Sequence, residues 1–110
     1  MGYQVPIGQP FKVMDAVAGT PPVTGTSYAL AGSGQAKMIG WSTKFASAPS
    51  AVDIKIQFSL DDDIWEDLDE STATAGELRI CPLTPANFIR AVLVSQTGGG
   101  AATVKVVVTL

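Results

Sequence analysis

The sequence has no histidine, a single cysteine and few charged residues. Histidine is the usual general base at neutral pH and the commonest zinc ligand, so hydrolysis by a serine–histidine or cysteine–histidine pair is excluded. The lone Cys81 cannot form an intrachain disulfide, and packing alone must therefore stabilise the fold. Because a free cysteine is usually buried, we expect Cys81 to be a core residue rather than a reactive thiol. We expect no enzymatic activity, no bound metal and no cofactor.

Membrane-spanning segments and basic clusters are also missing. No stretch approaches the roughly 18 consecutive apolar residues of a membrane span, and the first residues lack the pattern of a secretory signal. We therefore expect a soluble protein made in a cytoplasm, with no membrane partner. The seven basic residues are scattered singly and the formal net charge is -3. Since nucleic-acid binding depends on clustered Lys and Arg, no nucleic-acid partner is expected.

The composition is rich in apolar residues for so small a chain. Hydrophobic residues make up 46% of the 110 residues and charged residues only 15%. A chain of this length can close one hydrophobic core, and we expect some of the remaining apolar surface to cover an interface with another chain. Seven of the ten acidic residues lie between positions 61 and 70, so the negative charge is concentrated in one segment.

Apolar and polar residues alternate through much of the chain, with a period of two. From position 52 to 60 the apolar face comprises Val52, Ile54, Ile56, Phe58 and Leu60. This alternation indicates a strand with one buried face. Similar reasoning predicts strands at 11–17, 26–31, 36–47, 52–60, 64–68, 78–80 (stopped by Pro82), 87–95 and 103–110. The sequence therefore predicts one all-β domain over residues 11–110, an antiparallel β-sandwich of about seven to nine strands, either immunoglobulin-like or a jelly roll.

The first ten residues differ from the rest because prolines and glycine interrupt their apolar residues. This composition disfavours a helix and predicts an extended N-terminal arm over residues 1–10. An apolar extended segment needs a surface to lie on. The candidate partner-binding residues are Tyr3, Val5, Ile7 and Phe11.

Three consecutive aspartates, Asp61, Asp62 and Asp63, form an acidic turn between two predicted strands, and Trp65 follows. Glycoside hydrolysis needs two carboxyl groups roughly 5–10 Å apart, but these acids crowd into one hairpin without an apolar pocket to raise a pKa. Their spacing also lacks the glycine and helices of the common calcium loop. A solvated turn is the simplest interpretation. The alternative is a ligand-binding or ion-binding turn made by these three residues and Trp65.

Flat aromatic rings can stack on a sugar, and both tryptophans, Trp41 and Trp65, are candidates for this role. Trp41 and Phe45 share the apolar face of a predicted strand, which favours core packing. Trp65 lies near a turn, where we expect partial exposure. The exposed ring is therefore the better candidate for a carbohydrate contact.

The second half of the chain resembles small β-sandwich proteins of tailed-phage particles. In that pattern a strand ends in Ser-Leu-Asp-Gly, a tryptophan follows, and a later strand begins with an aromatic residue and an arginine. The matching stretches are residues 56–62, Trp65, Leu68 and residues 85–91. Asp62 stands where the pattern usually has glycine, so a different turn type is expected.

The resemblance implies a structural protein of the virion, synthesised in the host cytoplasm. The most specific expectation is a head decoration (cement) protein that binds the major capsid protein on the outer lattice and forms a homo-oligomer, such as a trimer. The N-terminal arm would then contact the capsid or a sister subunit. The alternative is a carbohydrate-binding sandwich of a tail fibre or adhesin, with Trp65 and the acidic turn as its site.

Overall fold

The computed structural model describes residues 4–17 and 21–110, and their regular structure is entirely β. The strands are β1 (Gln4–Val5), β2 (Phe11–Val17), β3 (Val23–Thr24), β4 (Tyr28–Leu30), β5 (Lys37–Phe45), β6 (Ala51–Ser59), β7 (Trp65–Ser71), β8 (Leu78–Thr84), β9 (Phe88–Thr97) and β10 (Ala102–Thr109). The strands of three residues or more overlap the predicted segments, and β1 and β3 are two-residue additions. In this part of the chain there is no helix with the length and apolar character needed to span a membrane.

The strands form two sheets. The larger sheet has the order β1-β4-β9-β6-β7, with β3 also paired to β9, and the smaller sheet has the order β2-β10-β5-β8. The pairs between the longer strands are antiparallel, whereas β1 pairs with β4 in parallel. The predicted antiparallel β-sandwich is confirmed. Strand β7 lies at an edge of the larger sheet and β8 at an edge of the smaller one.

The core lies between the sheets and follows the period-two alternation. Strands β5 and β10 bury every second residue, including Trp41 and Val106, and β6 does so from Val52 to Ile56. At the end of β6 the alternation breaks, because Phe58 is half-buried and Ser59 is buried. Each fully buried large apolar side chain contributes about 1.5–3 kcal/mol relative to an exposed one. The prediction for Leu60 is wrong: β6 ends at Ser59, and Leu60 enters the turn with 58% of its surface exposed.

Strand β8 continues through Pro82, where the sequence predicted that it would stop. Proline cannot donate a hydrogen bond to a neighbouring strand, so it is tolerated at sheet edges and bulges. Strand β8 pairs only with β5 within the described chain, and its register shifts between Lys37 and Ile39 on that partner. Both conditions that accommodate Pro82 are therefore met.

The described part of the N-terminal arm is extended but packs on its own domain. Val5 is fully buried in the core, and β1 pairs with residues 29 and 30 of β4. The chain then crosses to the other sheet, where Ile7 bridges Val108 and the Gly8 amide donates to the Val108 carbonyl at 2.7 Å. Residues 4–10 are thus part of the sandwich. Tyr3 lies outside the described residues.

Candidate functional site

The acidic turn is stabilised by hydrogen bonds between its own side chains and backbone. The Ser59 hydroxyl accepts the Asp61 and Asp62 amides at 3.2 and 3.0 Å. The Asp61 Oδ1 accepts the Asp63 and Ile64 amides, both at 3.0 Å. These two amide bonds, that of Ile64 first, lower the pKa of Asp61. The Asp61 carboxylate therefore organises the turn itself, as Asp commonly does.

Asp62 has a φ of 63°, in the left-handed region that favours glycine. Aspartate is one of the few other residues that adopts this conformation readily. Asp62 therefore takes the backbone conformation suited to the glycine of the pattern, and its φ gives no sign of the different turn type that we expected.

The side chains of Asp62 and Asp63 extend from an exposed part of the turn. Within residues 4–17 and 21–110, no group of three His, Cys, Asp or Glu side chains is arranged to hold a metal ion. The geometry of the turn is explained by its internal hydrogen bonds.

Trp65 is half-buried at the start of β7, on the outer face of the larger sheet. The Arg90 guanidinium carbon lies 4.2 Å from the centre of the indole ring, in a cation–π contact. Arg90 donates to Gln57 at 2.8 Å, and Gln57 donates to Asp67 at 2.8 Å. Lys55 also donates to Asp67, at 2.9 Å. We call this chain of hydrogen bonds through Arg90, Gln57, Asp67 and Lys55 the outer ladder. One face of Trp65 is therefore already covered by Arg90.

The hydrogen bonds of the outer ladder favour the ionised form of Asp67. The bonds from Gln57 and Lys55 lower the pKa of this carboxyl. The same pairing raises the pKa of Lys55. Lys55 and Asp67 therefore form an ion pair on this face within one chain.

A cleft of about 300 Å³ opens beside the acidic turn. Its lining comprises Phe58, Ser59, Leu60, Asp61, Ile64 and Glu66. Ile64 is 72% exposed, so apolar side chains stand among the acids at this end of the molecule. The cleft and Trp65, on the following strand, together form the surface on which a carbohydrate could bind.

Trp41 is buried, as predicted, and takes part in a junction between the sheets. Its Nε1 donates to Asp69 Oδ2 at 2.9 Å, and Arg79 Nε donates to the same oxygen at 2.8 Å. Burial alone would raise the pKa of Asp69, but the hydrogen bonds from Arg79 and Trp41 outweigh it and the pKa is lowered. Trp41 is therefore a core residue rather than a ligand platform.

Cys81 is buried beside this junction, which confirms its prediction as a core residue. Burial, reinforced by the nearby Asp69, raises the pKa of the thiol to about 11. A thiol with such a pKa is almost entirely neutral at pH 7, so it is a poor nucleophile.

The residues predicted to bind a partner through the N-terminal arm have different environments. Val5 is in the core of its own domain and presents no surface to another chain. Phe11 is half-buried against Tyr28, with ring centres 4.9 Å apart. Ile7 is exposed. Of the described residues in this set, Ile7 is the most exposed, with 38% of its surface accessible.

An apolar groove of about 390 Å³ runs over the outer face of the smaller sheet. It forms because Gly40 and Ser42 on β5 are small, while larger side chains stand on the neighbouring strands. Those side chains are Leu78 and Ile80 on β8 and Lys105 and Val107 on β10, with Pro10 and Met38 also in the lining. Ile80 is 65% exposed. This groove was not predicted from the sequence.

A second depression, the lysine pocket, lies next to the groove and has a volume of about 260 Å³. Its lining comprises Lys12, Lys44, Phe45, Ala46, Ala101, Thr103 and Lys105. The three lysines are scattered in sequence, but they are brought together because β2, β10 and β5 are adjacent strands. Lys105 borders both depressions.

Two solved structures are similar to this chain over most of its length. The SPBc2 prophage-derived protein YomS has a TM-score of 0.57 and 19% sequence identity, and the match covers 92% of each chain. The Clostridium perfringens module CpGH89CBM32-5, solved in complex with GalNAc-β-1,3-galactose, has a TM-score of 0.55 and 13% identity, with 91% of this chain and 76% of that chain covered. No protein-family model and no curated protein matches the sequence. The identities are low, so these similarities establish a shared β-sandwich fold.

Proposed function

We propose that this chain is a non-enzymatic structural protein of a tailed-phage virion, and that it decorates the head by binding the major capsid protein on the outer lattice. The observation that carries this proposal is the apolar groove on the smaller sheet. The virion is then the site where the protein functions, after synthesis in the host cytoplasm.

The groove has the character of a protein-binding surface. Contiguous exposed apolar patches commonly mark interaction sites, whereas single exposed apolar residues are ordinary. Here Leu78, Ile80 and Leu83 are exposed along one strand, and Met38 lies across from them on β5. Strand β8 also lies at a sheet edge, so a capsid segment can add to its free side by main-chain hydrogen bonds while its side chains fill the groove.

Two further observations support the phage assignment. The resemblance over residues 56–91 is to proteins of tailed-phage particles, and the similar fold of YomS belongs to a prophage-derived protein. The non-enzymatic part of the proposal rests on the absence of histidine and on the neutral, buried thiol of Cys81.

The proposal is tested by binding the purified protein to phage heads that lack it. We expect the double variant Leu78→Ser/Ile80→Ser to lose about tenfold or more in affinity, because buried apolar anchors dominate such interfaces. Leu110→Ser is the matched control, since Leu110 is 62% exposed but does not line the groove. The readout is co-sedimentation of labelled protein with the heads. Equal binding by the double variant and the wild type would overturn the groove as the capsid site.

A second candidate function is carbohydrate binding as part of a tail fibre or adhesin. The cleft beside the acidic turn favours it, together with the fold shared with a module solved with a disaccharide. On this hypothesis a sugar packs on Trp65 after Arg90 moves or on the uncovered part of the ring. Trp65→Ala would then abolish binding on a glycan array, while Leu78→Ser/Ile80→Ser would have no effect. Absence of glycan binding by the wild type removes this candidate.

A further inference from the structure

We infer that the lysine pocket of one copy receives the acidic turn of a second copy, so that the protein associates head to tail. The lysine pocket adjoins the groove that we assign to the capsid and shares Lys105 with it, but the contact is tested by self-association without capsid. It therefore stands or falls independently of the proposed capsid partner.

The lysine pocket contains positive charge that the described residues neutralise only in part. In the strand register Lys105 lies directly opposite Lys12, and Lys44 lies opposite Thr103 on the same strand as Lys105. Like charges opposite each other on neighbouring strands are destabilising unless an anion compensates them. Lys12 is 3.5 Å from Asp15, but this pair is exposed and weak. Lys44 and Lys105 make no ion pair within residues 4–17 and 21–110.

The acidic turn has the opposite imbalance. Asp62, Asp63 and Glu66 are exposed and take part in no ion pair in the described part of the chain. Leu60 and Ile64 stand beside them with most of their surface exposed. The turn is therefore a protruding apolar and acidic element.

The pocket complements this element in polarity as well as in charge. Phe45, Ala46 and Ala101 provide an apolar lining between the lysines. Ile64 of the incoming turn can pack against Phe45 while Asp63 approaches the ammonium groups. Apolar burial and charge pairing would thus act at the same contact.

The two elements lie at opposite ends of the sandwich and cannot meet within one chain. Asn87 donates to the Leu60 carbonyl and accepts from the Gly34 amide, which places the turn near the start of β5. The pocket lies at the other end of that strand, at Phe45. The nine residues of β5 span about 26 Å at about 3.3 Å per residue. Their pairing must be intermolecular, and a head-to-tail contact of this kind generates a ring or a filament.

Sedimentation velocity tests the inference on the intact protein. At low salt (about 20 mM) we expect a weight-average mass that rises with concentration above the monomer mass of 11.4 kDa, and at high salt (about 500 mM) we expect the monomer. Two charge-reversal variants should each remain monomeric: Lys44→Glu/Lys105→Glu in the pocket and Asp63→Lys/Glu66→Lys in the turn. Asp61 and Asp62 are left unchanged because they hold the turn conformation.

Mixing the two variants in equal amounts is the decisive arm. Each variant then supplies the charge that the other has lost, so association should return to within about threefold of the wild-type affinity. Thr24→Glu/Thr72→Glu makes the chain more negative by the same amount as Lys44→Gln/Lys105→Gln, and it should still associate because both residues are exposed and outside the pocket and the turn. Circular dichroism verifies that every variant is folded, and Lys44→Gln/Lys105→Gln replaces the pocket variant if it is not. A wild type that stays monomeric at low salt, association that survives either reversal, or no recovery on mixing would each overturn the inference.

Discussion

The outer faces of the two sheets differ in how far their side chains find partners within the chain. On the larger sheet Arg90 covers Trp65, and a continuous ladder of hydrogen bonds leads through Gln57 and Asp67 to Lys55. On the smaller sheet, exposed apolar side chains border a groove, and the neighbouring Lys44 and Lys105 make no ion pair within the described chain. The outer ladder on the first face is paired within one chain, although the buried Asp53 Oδ1 on the same face has no hydrogen-bond partner among the described residues. The second face has the composition of a surface that meets another protein. This difference is why we propose the smaller sheet, rather than the larger one, as the protein-binding face.

The largest expected effect on stability comes from the junction that joins the two sheets. Asp69→Ala would leave the buried Trp41 N–H without its acceptor and remove one of the two acidic partners of Arg79, the other being Glu77. An unsatisfied buried donor costs about 1–3 kcal/mol, and we expect a loss of that size in the free energy of unfolding measured with urea. Asp67→Ala is the matched control, because its bonds with Gln57 and Lys55 are both exposed and should contribute less. Equal losses in the two variants would contradict the structural role of the junction.

Arg90→Ala and Ile80→Ser sharpen the contrast between the two faces. We expect Arg90→Ala to lower the free energy of unfolding by about 1–2 kcal/mol, since it removes a cation–π contact and a hydrogen bond. Ile80→Ser should change it by no more than about 0.5 kcal/mol, because the side chain is largely exposed. Urea unfolding of both variants provides the measurement. A large loss for Ile80→Ser would show that the groove is needed for folding rather than for binding.

Acid should weaken the domain through carboxyl groups that the fold keeps ionised. The pKa values of Asp61, Asp67 and Asp69 are lowered from the ordinary value of 3.8. Their contribution is therefore complete above about pH 3.8 and is lost as the pH falls through the lower folded values. We expect the melting temperature to decline in this window. In the triple Asp→Asn variant at these positions the decline should be shallower, and an identical decline would contradict this assignment.

The smallest expected effect concerns Glu70, whose pKa is raised chiefly by a side-chain hydrogen bond with Asp53. A raised carboxyl pKa means that ionisation of Glu70 disfavours the folded state, so its contribution improves as the pH falls through the folded value. Glu70→Gln should therefore raise the melting temperature slightly at pH 7 and leave it unchanged near pH 3. A decrease at pH 7 would contradict the direction of this shift.

The period-two pattern predicted the sandwich because most strands bury one face. Strand β10 follows its predicted alternation closely, and β6 follows it as far as Ile56. The reversal at the acidic turn joins β6 to β7 as expected. The prediction for Leu60 failed because the alternation continues in the sequence for one residue beyond the end of the strand. The extension of β8 through Pro82 depends on that strand being at a sheet edge, which is a property of the tertiary fold.

The candidate site was only partly predictable for a similar reason. The acidic turn and Trp65 were visible as a local cluster, but the Arg90 contact depends on a strand that follows much later in the chain. Leu78 and Ile80 have the same residue types as the core, so their outward orientation could not be deduced from pattern. Likewise, the lysine pocket arises from three strands that are distant in sequence. Val5 shows the opposite case, because an apolar residue expected to meet a partner is used by its own core.

Hydrogen–deuterium exchange with and without phage heads that lack the protein tests the central claim most directly. Strands β7 and β8 are both sheet edges, but only β8 borders the apolar groove. We expect the amides of β8 (Leu78–Thr84) to exchange more slowly on the heads while those of β7 (Trp65–Ser71) are unchanged. Protection of β7 without protection of β8 would contradict the assignment of the smaller sheet as the protein-binding face.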